Sequence, residues 1–207
     1  KEELEGKGMS VQSVTMNGES LTFEHTDDQV FVDLGMEVPA GKRIQLTFAY
    51  EGNPAAGLKI GPNKYGDRGF YSDNWSSRVR NWLPTVDHPY DKAMTEMIIT
   101  APAKYQVASN GNIAEVSDMG EGMRRTHYKN PVPTATWLYF MGVAQMAVQQ
   151  VDTYGDVPIE TWVYWQDRDA GFYDFAVPSK DVLAFYSDLV GPYVNKRLAN
   201  IVSTGTP

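Results

Sequence analysis

The side chains best suited to bind or catalyse are concentrated in one loop, between Arg78 and Ala93. The loop contains two Arg, two Asp, one His, one Lys and two Pro, and it shows no hydrophobic period. Its prolines favour extended backbone at the preceding residues, which predicts an ordered loop without regular structure. Charged groups at this density need partners, so we expect Arg80, Asp87 and Lys92 to pair with each other and with loop backbone.

Metal-binding and nucleophilic motifs are missing from the sequence. The three histidines, His25, His88 and His127, have no partner at i+4, and an H-E-x-x-H pair is absent. There are no cysteines, no G-x-S-x-G elbow and no phosphate-binding Gly-Lys loop. The acidic run 167–174 resembles part of a calcium loop but lacks the terminal bidentate Glu, so we interpret it as a solvated turn. We therefore expect no metal in this chain.

The composition narrows the classes of partner. The chain has 207 residues, a net charge of −8 and no basic cluster, so nucleic acid is not an expected partner. No segment approaches the roughly 20 apolar residues of a membrane span. The opening residues, Lys1 to Glu5, do not form a signal peptide. Hydrophobic residues at 42% are sufficient for a packed core.

Short β segments separated by turn signals occupy the first three quarters of the chain. Asn17-Gly18 follows one such segment and predicts a tight hairpin. In Arg43–Tyr50, Ile44, Leu46 and Phe48 alternate with polar residues, as expected for a half-buried strand. Further strands are predicted at 10–16, 29–34, 95–100, 105–108, 122–128, 136–141, 144–154 and 159–165. This spacing predicts a mainly β fold, an antiparallel sandwich or saddle.

The pattern changes after Trp165. Residues 166–171 read as a polar turn, and Ser179 is a candidate cap for a helix from Lys180 to about Leu189. Gly191-Pro192 would end that helix, and 198–203 reads as one more strand. We therefore divide the chain into a β domain, 1–166, and a short α/β segment, 167–207.

Several of these residues also resemble a known family. The run Arg80 to Ala93, R-x-W-x-P-x-x-D-x-P-x-x-K-A, is similar at fixed spacings to the N-terminal β domain of the aminopeptidase N family of zinc metallopeptidases. The similarity extends through Ala101-Pro102 and 105–111. Gly191-Pro192-Tyr193 resembles the opening of the family's thermolysin-like catalytic domain, although Val194 stands where the family usually has Pro.

The resemblance implies a fragment of an enzyme that uses zinc to remove N-terminal residues from peptides. The family's G-x-M-E-N and H-E-x-x-H motifs are absent, so we expect these residues to be inactive alone, with zinc held elsewhere in the parent enzyme. The expected partners are the remainder of the catalytic domain and, through the parent, peptide substrates. The loop style also resembles that of exported bacterial members, periplasmic or extracellular.

The resemblance further implies that this region forms a wall of the active-site cleft and helps to recognise the substrate's free amino group. The family's polar residue for that role precedes the position of Arg80. Here the candidates for substrate binding are Asp73, Asn74 and Trp75, with Trp75 where the family usually has Glu or Gln. An amide or carboxylate oxygen can accept hydrogen bonds from an ammonium.

A stand-alone β-sandwich module that binds carbohydrate or protein is the alternative. It requires an exposed aromatic face, whereas Trp137, Trp162 and Trp165 lie in predicted strands, where core packing is the usual role. The fragment interpretation instead predicts an exposed apolar patch around residues 180–203. The sequence leaves the preferred substrate residue and the oligomeric state open.

Overall fold

The structure, a computed structural model, describes residues 5–203. Strands make up 50% and helices 16%, which confirms the predicted mainly β class with antiparallel sheets. The strands are β1 (Gly8–Met16), β2 (Glu19–Ser20), β3 (Phe23–Thr26), β4 (Gln29–Val32), β5 (Leu46–Asn53), β6 (Leu58–Pro62), β7 (Arg68–Ser72), β8 (Lys92–Pro102), β9 (Gln106–Ser109), β10 (Asn112–Gly120), β11 (Met123–Ala135), β12 (Met141–Ala144), β13 (Met146–Tyr154), β14 (Val157–Tyr164) and β15 (Leu198–Ile201). The helix α1 spans Arg168–Val190, and 3-10 turns lie at Val79–Asn81, Thr136–Leu138 and Trp165–Asp167.

Within the described range the strands form five small sheets. Their orders are β2-β1-β5, β3-β4, β6-β7-β12-β9, β10-β11-β8 and β13-β14-β15. Each pairing is antiparallel except that of β14 with β15, which is parallel. The parallel pair places the strand after α1 beside the last strand before it, as a crossover through a helix requires.

The first hairpin turn forms where the sequence predicts it. Met16 pairs with Glu19, so Asn17 and Gly18 are the two residues of the loop. Both have positive φ, 54° and 87°. This backbone matches the twist of the flanking strands and suits Asn-Gly, because Asn and Gly tolerate the left-handed region.

Two clusters of buried residues connect the sheets. One contains Tyr71, Met146, Trp162 and Tyr164, and draws on five strands of two sheets, β7, β9, β12, β13 and β14. The other lies between β8, β9, β11 and β12; its buried members are Ala101, Tyr105, Val107, Tyr128 and Val143. The four-stranded sheet thus packs between the β10-β11-β8 and β13-β14-β15 sheets, and Tyr71, near the end of β7, is buried in the first cluster.

The helix begins much earlier than the sequence predicts. We expected a polar turn at 166–171 and a start at Lys180 capped by Ser179, but α1 runs from Arg168 through Pro178. Proline removes one backbone donor from the helix, and here the Ser179 hydroxyl donates to the carbonyl oxygen of Phe175 in the same turn. Packing on β13 and β14 therefore overrides the proline signal.

Contacts of α1 with β13 and β14 explain why the helix begins at Arg168. A Cβ on Gly171 would lie 2.6 Å from Cγ1 of Val163, so the helix approaches β14 more closely than any larger residue would allow. Lys180 donates to Asp152 of β13 at 3.1 Å. The opposite face of α1 is apolar and exposed, with Phe185 at 61% and Leu189 at 65%. An exposed patch of this kind marks a surface for another part of a protein.

Candidate functional site

Asn74, directly after β7, is a buried anchor. The residue is only 4% exposed. Its Nδ2 donates to the carbonyl oxygen of Tyr139 at 2.5 Å, and its Oδ1 accepts from Nε1 of Trp82 at 2.9 Å. The amide is therefore committed to the protein interior on both sides. A buried amide satisfied in this way fixes the backbone that carries it.

Asp73 is also committed to neighbouring groups. Its carboxylate lies 2.9 Å from Nζ of Lys59 and 2.9 Å from a terminal nitrogen of Arg78. Two cations around one carboxylate leave no net negative charge for an incoming ammonium. Asp73 and Asn74 are thus placed beside Trp75, but the structure directs their polar atoms to the chain itself.

Gly57 allows the loop to lie this close to β6. A Cβ at this position would lie 2.1 Å from the carbonyl oxygen of Arg78 and 2.9 Å from Cδ1 of Trp82, and φ is +78°. The carbonyl of Gly57 also accepts the backbone N–H of Asp73 at 2.8 Å. Only glycine combines this backbone conformation with this approach.

Trp75 is the residue that the loop displays. It is 64% exposed, and its indole stacks on that of Trp137, with ring centroids 4.3 Å apart and planes inclined by 24°. The peptide bond between Trp75 and Ser76 is cis. One face of Trp75 is therefore supported by Trp137, and much of the rest of the indole is open to solvent.

The turn that carries Trp137 was predicted as a strand, and that prediction was wrong. Residues Thr136–Leu138 form a 3-10 turn closed by the bond from Tyr139 N–H to the Thr136 carbonyl, 2.9 Å. The Asn110 side chain also donates to the Leu138 carbonyl at 3.0 Å and accepts the N–H of Phe140. Because a side chain from another loop satisfies this backbone, local β propensity does not decide it.

Arg80 and Asp87 meet in the loop as a pair. The Asp87 side chain is 1% exposed; Oδ2 accepts the Arg80 backbone N–H at 3.2 Å and lies 3.5 Å from Nε. A terminal nitrogen of Arg80 donates to the Asp87 carbonyl at 3.2 Å, and Oδ1 accepts the Thr136 hydroxyl at 2.7 Å. The buried carboxylate thus ties the loop to the turn that supports Trp75. The sequence gives no signal for Thr136.

Lys92 lies outside this network, contrary to our expectation. Within residues 5–203 its side chain makes no ion pair or hydrogen bond. Asp87 is already occupied by Arg80 and Thr136, and Lys92 is held opposite Ala135 at the start of β8. Its side chain instead lines a cavity formed by the 130–138 segment and the 193–197 loop.

The described residues do not form a zinc site. No group of three His, Cys, Asp or Glu between residues 5 and 203 is arranged to hold a metal ion. His127 pairs with Glu96 at 2.8 Å, and His88 accepts the N–H of Tyr90. Asp167, in the acidic run, accepts the Tyr65 hydroxyl and pairs with Lys64 at 2.9 Å at the start of α1. The donor set therefore does not fit zinc.

The helices were also compared with the length and hydropathy of a membrane span. No helix in 5–203 is long and apolar enough to cross a membrane.

The remaining tryptophans divide between core and surface. Trp162 is buried in the first core cluster, as predicted for a strand aromatic. Trp165 lies in a 3-10 turn and is more than half exposed, which differs from the core role expected for it. The exposed Trp75, stacked on the half-buried Trp137, is thus an aromatic surface beside the loop.

Known proteins match this chain over most of its length. A probable aminopeptidase 2 of Sulfurisphaera tokodaii is 24% identical over 189 residues, which cover 91% of this chain and 23% of that protein. The M1 zinc metallopeptidase of Deinococcus radiodurans superposes with a TM-score of 0.75 at 21% identity, over 97% of this chain and 48% of its own. Legionella pneumophila aminopeptidase A, in complex with aspartic acid, gives 0.78 at 18% identity, over 94% and 23%.

Because these identities are below 25%, the similarities show the fold. The chain spans about half the length of the Deinococcus radiodurans protein and about a quarter of the length of the other two. The family itself is shown by a sequence profile, the peptidase M1 N-terminal domain, which matches residues 3–138 and so includes both Trp75 and Trp137. The chain therefore belongs to the family of peptidase M1 N-terminal domains.

Proposed function

We propose that this chain is the non-catalytic N-terminal region of a zinc-dependent aminopeptidase. The family assignment supports this, as does the match to aminopeptidases over nearly the full length of the chain. In such an enzyme zinc activates a water for attack on the scissile carbonyl. The residues between 5 and 203 supply no zinc donor set. In this proposal they shape the cleft and contribute to substrate binding.

The single observation that carries the substrate role is the exposure of Trp75 on a fixed support. Asn74 turns its amide into the interior, Asp73 pairs with Lys59 and Arg78, and together they hold the backbone from which Trp75 projects. The face of an indole attracts ammonium groups and packs on apolar side chains. In this proposal Trp75 contacts the N-terminal residue of the peptide, and Asp73 and Asn74 position it.

The division into a β domain, 1–166, and the start of a catalytic domain, 167–207, remains part of the proposal. Its support is the exposed apolar face of α1, since Phe185 and Leu189 would be covered by the remainder of a catalytic domain. The parallel pairing of β14 with β15 would then join the two domains through one sheet. The partner of this surface is the polypeptide that completes the enzyme.

Hydrolysis of amino-acid anilides tests this function. We expect the full-length enzyme to cleave them in a zinc-dependent manner and the 207-residue chain to be inactive with or without added zinc. Activity of the chain alone would contradict the non-catalytic role. A full-length protein that is folded, zinc-loaded and inactive would contradict the aminopeptidase assignment.

A further inference from the structure

A cavity of about 880 Å³ lies between the bulged end of β11 and the loop that leads into β15. Its size falls within the range of roughly 300–1,000 Å³ typical of small-molecule sites. Lys92, Lys196 and Arg197 contribute to its walls, together with Asn110 and Asn112. Trp137 also lines it, so the cavity adjoins the tryptophan on which Trp75 stacks.

The charge of this cavity is opposite to that of the protein. The chain has a net charge of −8, yet none of the residues that line the cavity is Asp or Glu. Arg197 is balanced by Glu160 beneath it, at 3.1 Å. Lys92 and Lys196 are exposed and have no side-chain partner within residues 5–203, so the cavity carries two positive charges that no carboxylate of this range balances. A cleft lined by charge of one sign raises the local concentration of ions of the opposite sign.

The walls are fixed by their own hydrogen bonds. In the bulge, Nδ2 of Asn130 donates to the Thr134 hydroxyl at 3.0 Å, and that hydroxyl donates to the Val132 carbonyl at 2.8 Å. Across the cavity, a terminal nitrogen of Arg197 donates to the carbonyl oxygen of Ser109 at 2.7 Å. The Arg197 guanidinium also lies 5.2 Å from the centre of the Tyr128 ring. A preformed site binds with a smaller loss of conformational freedom.

We propose that this cavity binds the carboxylate group of a short peptide, through Lys92 and Lys196. Ammonium groups form charge-assisted hydrogen bonds with carboxylates, and the asparagine amides at the wall add neutral donors. The anion site rests on the charges of the cavity, whereas its assignment to a peptide rests on the proposed function. A peptide with its amino end at Trp75 would direct its carboxylate end past Trp137 into the cavity.

A titration with a blocked peptide tests the site in the full 207-residue chain. The probe is N-acetyl-Ala-Ala with a free carboxylate, compared with the same peptide as its C-terminal amide, and the readout is amide chemical shifts in a ¹⁵N-labelled chain. We expect the acid to bind about tenfold more tightly than the amide, with shifts at residues 92, 110–112 and 194–197. Added salt should weaken the acid's binding selectively.

Variants identify the lysines responsible. Lys92→Met and Lys196→Met should each weaken binding of the acid several-fold, and the double variant should bind acid and amide equally. Lys42→Met is the matched control, since Lys42 is exposed and lies outside the cavity, and it should bind like the parent chain. Equal affinity for acid and amide in the parent chain, or an unchanged double variant, would overturn the proposal.

Two measurements on the full-length protein separate this inference from the proposed function. We expect both the preference for the acid over the amide and zinc-dependent cleavage of amino-acid anilides. Cleavage without that preference would reject the anion site and leave the peptidase role intact. Retention of the preference in an enzyme without aminopeptidase activity would sustain the anion site and reject the peptidase role.

Discussion

The indole of Trp75 lies on the indole of Trp137, with ring centroids 4.3 Å apart and planes 24° from parallel. The two residues are 62 positions apart in the sequence, and each is fixed from behind by a buried polar group. Asn74 anchors the backbone of Trp75 to Tyr139 and Trp82, and Asp87 anchors the turn of Trp137 through Thr136. The surface pair is thus a product of two interior hydrogen-bond networks.

Replacement of Asn74 by Ala should destabilise the protein strongly. It would leave the indole N–H of Trp82 without its buried partner, and the carbonyl of Tyr139 with only the longer bond from the Ser72 hydroxyl, at 3.3 Å. An unsatisfied buried group costs about 1–3 kcal/mol, so we expect a loss of roughly 2–3 kcal/mol in the free energy of unfolding. Urea unfolding measures it. Asn53→Ala, an exposed asparagine, is the control, and equal losses for the two variants would contradict the anchoring role.

Replacement of Asp87 should destabilise the protein far more than replacement of Lys92, although the sequence predicts that both belong to one charge network. Asp87→Ala removes a buried acceptor used by Arg80 and Thr136, and should cost about 2–4 kcal/mol of stability. Lys92→Met should change stability by less than about 0.5 kcal/mol, because no partner within 5–203 is lost. Thermal and urea unfolding report both. A loss for Lys92→Met comparable to that for Asp87→Ala would restore the three-residue network.

Acid should weaken the attachment of α1 to the β6–β7 turn. The hydrogen bond from the Tyr65 hydroxyl, followed by that from Lys64, lowers the pKa of Asp167 below its ordinary value. A carboxyl with a lowered folded-state pKa stabilises the fold above its unfolded pKa of about 3.9, and that stability is lost as the pH falls through the folded value.

The midpoint of thermal unfolding should therefore fall more steeply from about pH 5 to pH 2 in the parent chain than in Asp167→Asn. Tyr65→Phe removes the largest cause of the shift and should give an intermediate slope. Parallel curves for the parent chain and Asp167→Asn would show that this contact does not contribute to acid sensitivity.

Replacement of Arg197 should destabilise the protein even when the new residue is lysine. Its guanidinium spans Glu160 and the carbonyl of Ser109 while only 10% of the side chain is exposed. Arg197→Met leaves the partly buried Glu160 carboxylate without its cation, with the Trp162 indole N–H as its remaining donor, which we expect to cost about 3 kcal/mol in urea unfolding. A lysine ammonium cannot reach both acceptors with fork geometry, so Arg197→Lys should recover less than half of that loss. Full recovery by lysine would show that charge alone is sufficient.

Much of the β architecture was predictable because its signals are local. The Asn17-Gly18 turn and the alternation around Leu46 and Phe48 depend on neighbouring residues only. β10 was missed because it is almost entirely exposed, so its sequence has no apolar alternation. The start of α1 was misplaced because packing of Gly171 on Val163 overrides the usual meaning of Pro178.

The contacts within the candidate loop could not be predicted from the sequence. The family resemblance made Asp73, Asn74 and Trp75 the candidates for substrate binding, yet nothing local indicates that Asn74 faces Trp82 and Tyr139. Thr136 and Trp137 come from a distant turn, and only the fold brings them to the loop. For the same reason the sequence could not separate the buried Asp87 from the solitary Lys92.

The most direct test of the proposed substrate role is steady-state cleavage of amino-acid anilides by the full-length enzyme with Trp75→Ala, with Tyr90→Ala as an exposed aromatic control. If Trp75 binds the N-terminal residue, its replacement should raise KM about tenfold with kcat changed much less, as expected for a lost cation–π or packing contact of about 1–2 kcal/mol. Trp137→Ala should give a smaller effect in the same direction, and Tyr90→Ala none. A Trp75→Ala enzyme with unchanged kcat and KM would contradict the account.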